Sequence, residues 1–229
     1  MDSSRIGRLP ISGIEPVVDG GLFAAKAFEG EVIPFSATVF REGHDSLGAE
    51  VLLTSPSGKT HVVRMHAGAP GSDRWHAKAQ LSEVGTYSFR IRAFGDDYDT
   101  WHHNASVKIH AGIDEELMML EGVALFTRAA SEKSRTAANA KALVELAEKL
   151  SDTKRSAKAR LAEAEAPAIL KLIASQPIRS LETLSETFEI RCERLRAGFG
   201  AWYEFFPRSE GAKFDAKTKK WTSGSFKTA

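Results

Sequence analysis

A single cysteine in 229 residues removes two architectures at the outset. Cys192 has no partner in the chain, so an internal disulfide framework and a cysteine-rich zinc site are both excluded. It lies in a stretch with helical spacing and reads as a small apolar side chain on a helix rather than as a reactive thiol. An excess of charge of one sign is also missing: 31 Lys and Arg stand against 30 Asp and Glu, for a formal charge of +1. No global field therefore favours nucleic acid or an anionic membrane. Long apolar runs are absent as well. No window approaches a membrane span, and residues 1–14 lack the continuous apolar core of a signal peptide. The expectation is a soluble, cytoplasmic protein with no membrane or nucleic-acid partner.

The length suits one large or two small domains, each with its own core. From residue 22 to 110, short extended runs alternate with turn signals about every ten residues. The predicted strands are 22–28, 32–41, 49–54, 60–65, 74–80, 86–94 and 105–110. Seven strands in this rhythm suit an immunoglobulin or fibronectin type III β-sandwich. Ile33, Phe35, Ala37 and Val39 face one way along their strand, as do Tyr87, Phe89, Ile91 and Ala93, so these eight should be core. Pro34 requires an edge position or a bulge near its strand's start. Turns are expected at 55–58 and 68–72.

After Gly112 the composition shifts to Ala, Leu, Glu, Lys and Arg, as amphipathic helices require. The first helix is expected from Asp114 to Ser131, with acidic residues in its first turn. A second, 136–150, places Ala140, Leu143, Ala147 and Leu150 on one face. A third begins near Lys154 and meets Pro167, which either kinks it or starts a new helix, and it ends near 175–177. A fourth spans 184–197 and is closed by Gly198 and Gly200. These make a small bundle. The predicted divisions are a sandwich over 1–111, a helical insert over 112–200 and a third region over 201–229. In that last region the apolar run 202–209, stopped by Pro207, reads as a strand in need of neighbours, and Ser223 begins a short helix-compatible stretch.

Several runs carry a resemblance. Glu15-Pro16-Val17-Val18-Asp19-Gly20-Gly21, Ala37-Thr38-Val39-Phe40-Arg41-Glu42-Gly43-His44-Asp45, Asp73-Arg74-Trp75 and Trp101-His102-His103 resemble the amino-terminal region of the alpha-1,4-glucan:maltose-1-phosphate maltosyltransferases. This is a branch of the alpha-amylase superfamily, glycoside hydrolase family 13. The run 202–209 resembles that superfamily's first barrel strand. The resemblance covers essentially the whole chain, and residues 37–45 are its most specific part. It implies a β-sandwich, a helical insert and the start of a truncated (β/α)8 barrel. It also implies an enzyme that transfers maltosyl from maltose 1-phosphate to alpha-1,4-glucan with retention, and a homodimer formed through these domains. The superfamily's catalytic carboxylates stand on later barrel strands, beyond Ala229. No catalytic, cofactor-binding or metal-binding residue is therefore assigned, and the 229-residue chain is expected to be inactive alone. The competing reading is a free-standing module that binds carbohydrate or another protein.

Other constellations have plain readings. Glu204, Glu210 and Asp215 lack the rigid scaffold that a retaining carboxylate pair needs, and Glu204 should pair with Arg208. His61, His66, His102, His103 and His44 show no metal-ligand spacing, and adjacent strand residues such as His102 and His103 would point to opposite faces. Trp75, Tyr98 and Trp101 suit either a sugar platform or packing, with packing favoured. The tail combines Lys213, Lys217, Lys219, Lys220 and Lys227 with Phe214, Trp221 and Phe226, as a barrel loop without its neighbours would.

Overall fold

The computed structural model describes residues 8–201 and 203–229. The chain divides into two units, Met1–Glu193 and Arg194–Ala229. The strands of the first unit are β1 (Ile11–Glu15), β2 (Ala25–Phe28), β3 (Val32–Val39), β4 (Leu47–Thr54), β5 (Thr60–Arg64), β6 (His66–Ala67), β7 (Arg74–Gln80), β8 (Gly85–Asp96), β9 (Arg179–Leu184) and β10 (Phe188–Glu193). One sheet is antiparallel, in the order β1-β3-β7-β6. The other runs β2-β10-β8-β4-β5, with β9 also paired to β8.

Alternation along the strands gives each sheet an apolar face, and the two faces share one core. All eight residues expected there are buried, and Phe35 of one sheet meets Phe89 of the other edge-to-face at 5.1 Å. Such a ring pair adds about 1 kcal/mol beyond its burial. Pro34 sits at the end of β3 that β1 does not reach, so its missing N–H leaves no gap in that pairing.

Five helices lie between β8 and β9: α1 (Asp97–His110), α2 (Glu115–Ala130), α3 (Ala137–Ser151), α4 (Ala157–Ala164) and α5 (Pro167–Ser175). They hold a second core, around Trp101, Phe126, Leu143 and Leu161. The segment that carries them leaves and re-enters the sheet side by side. Asp96 lies opposite Arg179 in the β8–β9 pair, and the Asp97 N–H donates to Ile178 O at 3.1 Å. The lower half of β8 pairs instead with β10, which also runs parallel to β2. One long strand thus receives two returning strands in succession.

Several expectations change. The segment 105–110, read as a strand, is the second half of α1. Tyr98, Trp101, Ala105 and Ile109 recur at helical spacing and are buried, and the Asp96 side chain caps the helix by accepting from the Asp99 N–H. Helix therefore starts well before the expected boundary at 111–113. Ala111 closes α1.

The segment 184–197, read as a fourth helix, contains β10 and a 3-10 turn at Leu195–Phe199. Ile190 and Cys192 are fully buried at period two, so Cys192 belongs to the β core rather than to a helix. Burial pushes its thiol pKa up, with Glu29, Glu31 and Glu193 adding to the effect. At Pro167 the chain takes the second of the two options: α4 has already ended and the proline opens α5 in its first turn.

The second unit holds a hairpin of β11 (Lys213–Asp215) and β12 (Lys220–Thr222), with Phe214 and Trp221 in contact at 5.2 Å. The expected strand over 202–209 does not form: residues 203–206 have no regular structure, a turn follows, and Trp202 lies outside the described residues. A strand needs a neighbour for its backbone groups, and none of the described residues pairs with this run. Residues 223–229 form a turn closed by Thr228 N–H to Ser225 O rather than a helix. Tyr203, Phe206 and Phe226 stay largely exposed.

Candidate functional site

Register across the four-stranded sheet produces the most distinctive polar arrangement of the first unit. Glu15 lies opposite Ser36, Ser36 opposite His76, and His76 opposite His66, so these residues form one transverse row over β1, β3, β7 and β6. Their side chains emerge on the face away from the core. The Ser36 hydroxyl donates to Glu15 Oε2 at 2.6 Å, and Arg74 Nη2 donates to the same oxygen at 2.7 Å and to Ser36 Oγ. A further Arg74 nitrogen donates to Gly13 O. These bonds, led by the Ser36 hydroxyl and followed by the Arg74 charge, hold the Glu15 carboxyl below its usual pKa. The serine is bound to carboxylate and guanidinium rather than to an imidazole, so it lacks the base that would make it a nucleophile.

This row forms part of the lining of a cleft of about 870 Å³. Pro16, Val17, Val18 and Pro34 give it apolar walls, and His66, Arg74, His76 and Lys78 give it polar ones. A volume of this order, with convergent polar groups, is what a small-molecule site offers. Glu15 to Val18 and Arg74 come from two of the runs that carry the sequence resemblance.

The other two runs meet at a smaller cleft of about 290 Å³, lined by Arg41, Asp45, Asp97, Trp101, Asn104 and Glu121 among others. Arg41 and Asp45 form an ion pair at 2.7 Å across the loop between β3 and β4. Asp97 accepts from Arg128 and from Ser180. Leu181, also in the lining, has a φ of 51° where the β8–β9 register shifts. A branched apolar residue in the left-handed region marks local strain.

A third cluster locks the inserted segment to the sheet. Glu50, on β4, is 3% exposed and accepts from Arg92 Nε and Nη2 at 2.9 and 2.6 Å and from Arg179 Nη2 at 2.9 Å. Asp96, also buried, accepts from Arg64 at 2.7 Å. The guanidinium carbons of Arg64 and Arg179 each lie 5.0 Å from the centre of the Phe94 ring.

The residues singled out from sequence take mostly structural places. Tyr98 and Trp101 are buried in the helical core. The Tyr98 hydroxyl donates to Ala164 O and burial pushes its pKa up to about 12, while Trp101 Nε1 donates to Met118 O at 2.8 Å. Trp75 Nε1 donates to Val39 O, and its half-buried ring packs on the β core. Glu204 and Arg208 form no ion pair among the described residues. The Asp215 carboxyl is held low by the backbone N–H groups of Lys217 and Thr218 at its hairpin turn. His102 and His103 are on a helix, not a strand, and His102 bonds Glu165 at 2.9 Å. No group of three or more His, Cys, Asp or Glu side chains converges on a metal position among the described residues. No helix among them is long and apolar enough to cross a membrane. Sequence reasoning did not pick out His76, because only the register of four strands brings positions 15, 36, 66 and 76 into line.

Together these features define a mixed protein, a β-rich domain of two sheets with five helices inserted between strands of one of them. The family model described as alpha-1,4-glucan:maltose-1-phosphate maltosyltransferase, domain N/S, matches residues 7–194. The chain belongs to this family. Two curated relatives from Streptomyces coelicolor, alpha-1,4-glucan:maltose-1-phosphate maltosyltransferases 1 and 2, are 43% and 41% identical over 225 residues. Each alignment covers 98% of this chain, and 32% and 33% of the relatives' own lengths. The maltosyltransferase of Arcanobacterium haemolyticum is 33% identical across 100% of this chain and 33% of its own length. The chain thus spans about a third of the length of the curated relatives it matches. A solved DUF4785 family protein from Legionella pneumophila matches 41% of this chain and 25% of its own at 11% identity and a TM-score of 0.27, too low to carry any argument.

Proposed function

We propose that this chain is the amino-terminal accessory and dimerisation region of a maltosyltransferase that moves maltosyl from maltose 1-phosphate to alpha-1,4-glucan with retention. The observation that carries this reading is identity of 43% along nearly the whole chain to a relative of which it spans a third. On this reading the β-domain is an immunoglobulin or fibronectin III-like sandwich, the helices are its insert, and residues 201–229 open the catalytic barrel. The exposed Tyr203, Phe206, Trp221 and Phe226 support the last point, because aromatic side chains in such number normally find cover. The chain alone releases no phosphate from maltose 1-phosphate. Release by the purified 229-residue protein would overturn this assignment.

The partner is a second copy. Ile113, Leu117, Leu120 and Ala124 recur at alternating spacings of four and three along α2 and its approach, and all four are exposed. That is the seam spacing of paired helices. Sedimentation of the chain is expected to give a dimer, and Leu120→Glu is expected to give a folded monomer. A wild-type chain that stays monomeric at high concentration would exclude dimer contacts confined to these residues.

A further inference from the structure

We propose that the cleft over the four-stranded sheet binds a doubly charged oxyanion between His66 and His76, with an organic body resting on Pro16, Val17, Val18 and Pro34. His66 and His76 are directly opposed across the β6–β7 pair. Side chains so placed start about 5 Å apart on one face, close enough for both imidazoles to hold one anion. Lys78 follows His76 on the same face, two residues along β7, and Arg74 precedes it by two. The charged and titratable groups lining the cleft are Glu15, His66, Arg74, His76 and Lys78.

The only carboxylate among those lining groups is already answered. Glu15 is bonded by Arg74 and Ser36, so its charge is matched inside the row. The side chains of Lys78, His66 and His76 have no hydrogen-bond partner among the described residues, although they line a concave space. Protonation of the two histidines raises the cleft from one uncompensated positive charge to three. Histidine side chains in general gain charge below about pH 8, whereas a phosphate ester gives up its second negative charge at about pH 6. Binding is therefore expected to be strongest in the window where imidazolium and dianion coexist and to weaken on either side of it. A divalent cation suits it poorly, since the lysine and arginine stand in the same lining and no third ligand converges. The apolar walls extend well past the space one oxyanion fills, and they give the ligand an organic part.

The test is a histidine imidazole NMR titration of the 229-residue protein, with inorganic phosphate against chloride at matched ionic strength. Phosphate is expected to shift the ring resonances of His66 and His76 saturably and to leave those of His44, His61, His102, His103 and His110 in place. His66→Gln combined with His76→Gln, both exposed, should remove phosphate binding without changing the amide spectrum. Phenyl phosphate should bind more tightly than phosphate and perturb the methyl groups of Val17 and Val18. The proposal is overturned if His66 and His76 titrate alike in both salts, or if all the histidines move together as simple screening would make them. Equal binding of phosphate and phenyl phosphate would refute the organic part.

Discussion

Arg92 and Arg179 both end on one buried carboxylate, Glu50, so a single substitution there breaks two pairs at once. Glu50→Ala leaves two guanidinium groups without their acceptor, and breaking a buried pair from one side costs about 3–5 kcal/mol. An unfolding free energy lowered by that amount, seen as a lower urea midpoint at unchanged slope, is the expected result, whereas Lys141→Ala, which breaks an exposed pair to Glu145 at 3.8 Å, should change it by about a few tenths of a kcal/mol at most. Glu15 offers a pH test. Its carboxyl is held below the usual 4.5 in the fold, first by the Ser36 hydroxyl and then by Arg74. What those bonds contribute is fully present above 4.5 and is lost as the pH falls through the lowered folded-state value. Ser36→Ala is expected to move the Glu15 titration upward, read from its side-chain carboxyl carbon by NMR. An unmoved titration would mean that Arg74 alone sets it.

Between elements, contact distance decides what is tolerated. A Cβ at Gly122 of α2 would come within 2.5 Å of the Trp101 ring of α1, and both residues are buried. Gly122→Ala should therefore lower the melting temperature, at a cost of about 1–3 kcal/mol, despite alanine's better helix propensity. A melting temperature that rises would show that α1 can shift. The same scale explains what was legible in the sequence. The cores of β3 and β8 could be read because alternation is local, and α2 and α3 because their apolar stripes are. The strand β10 was not: Leu184, Phe188 and Cys192 also recur every four residues, so helix and strand compete on local pattern. Long-range pairing with β2 and β8 settles the matter. The half of α1 read as strand failed for a related reason, since its β-branched Val107 and Ile109 alternate while Tyr98, Trp101 and Ala105 set the helical face.

Taken whole, the first unit has two apolar cores, one between the sheets and one among the helices. Because Asp96 and Arg179 already sit opposite one another, replacing residues 97–178 by an Asn-Gly turn should leave the β core folded as a shorter protein. Dispersed amide resonances and cooperative unfolding of that protein are expected, and a collapsed spectrum would mean that the helices are required. The first cleft was legible only in part. Glu15 and Arg74 stood out in the sequence, yet nothing local announces that four strands will bring them into register with His66 and His76. That same topology sets an order for synthesis. Residues 188–193 fill the place between β2 and β8, so the earlier strands must emerge from the ribosome with a gap in their sheet and wait for five helices to follow. Until then the nascent chain presents two unsatisfied edges, each open to pairing with any extended segment that meets it first.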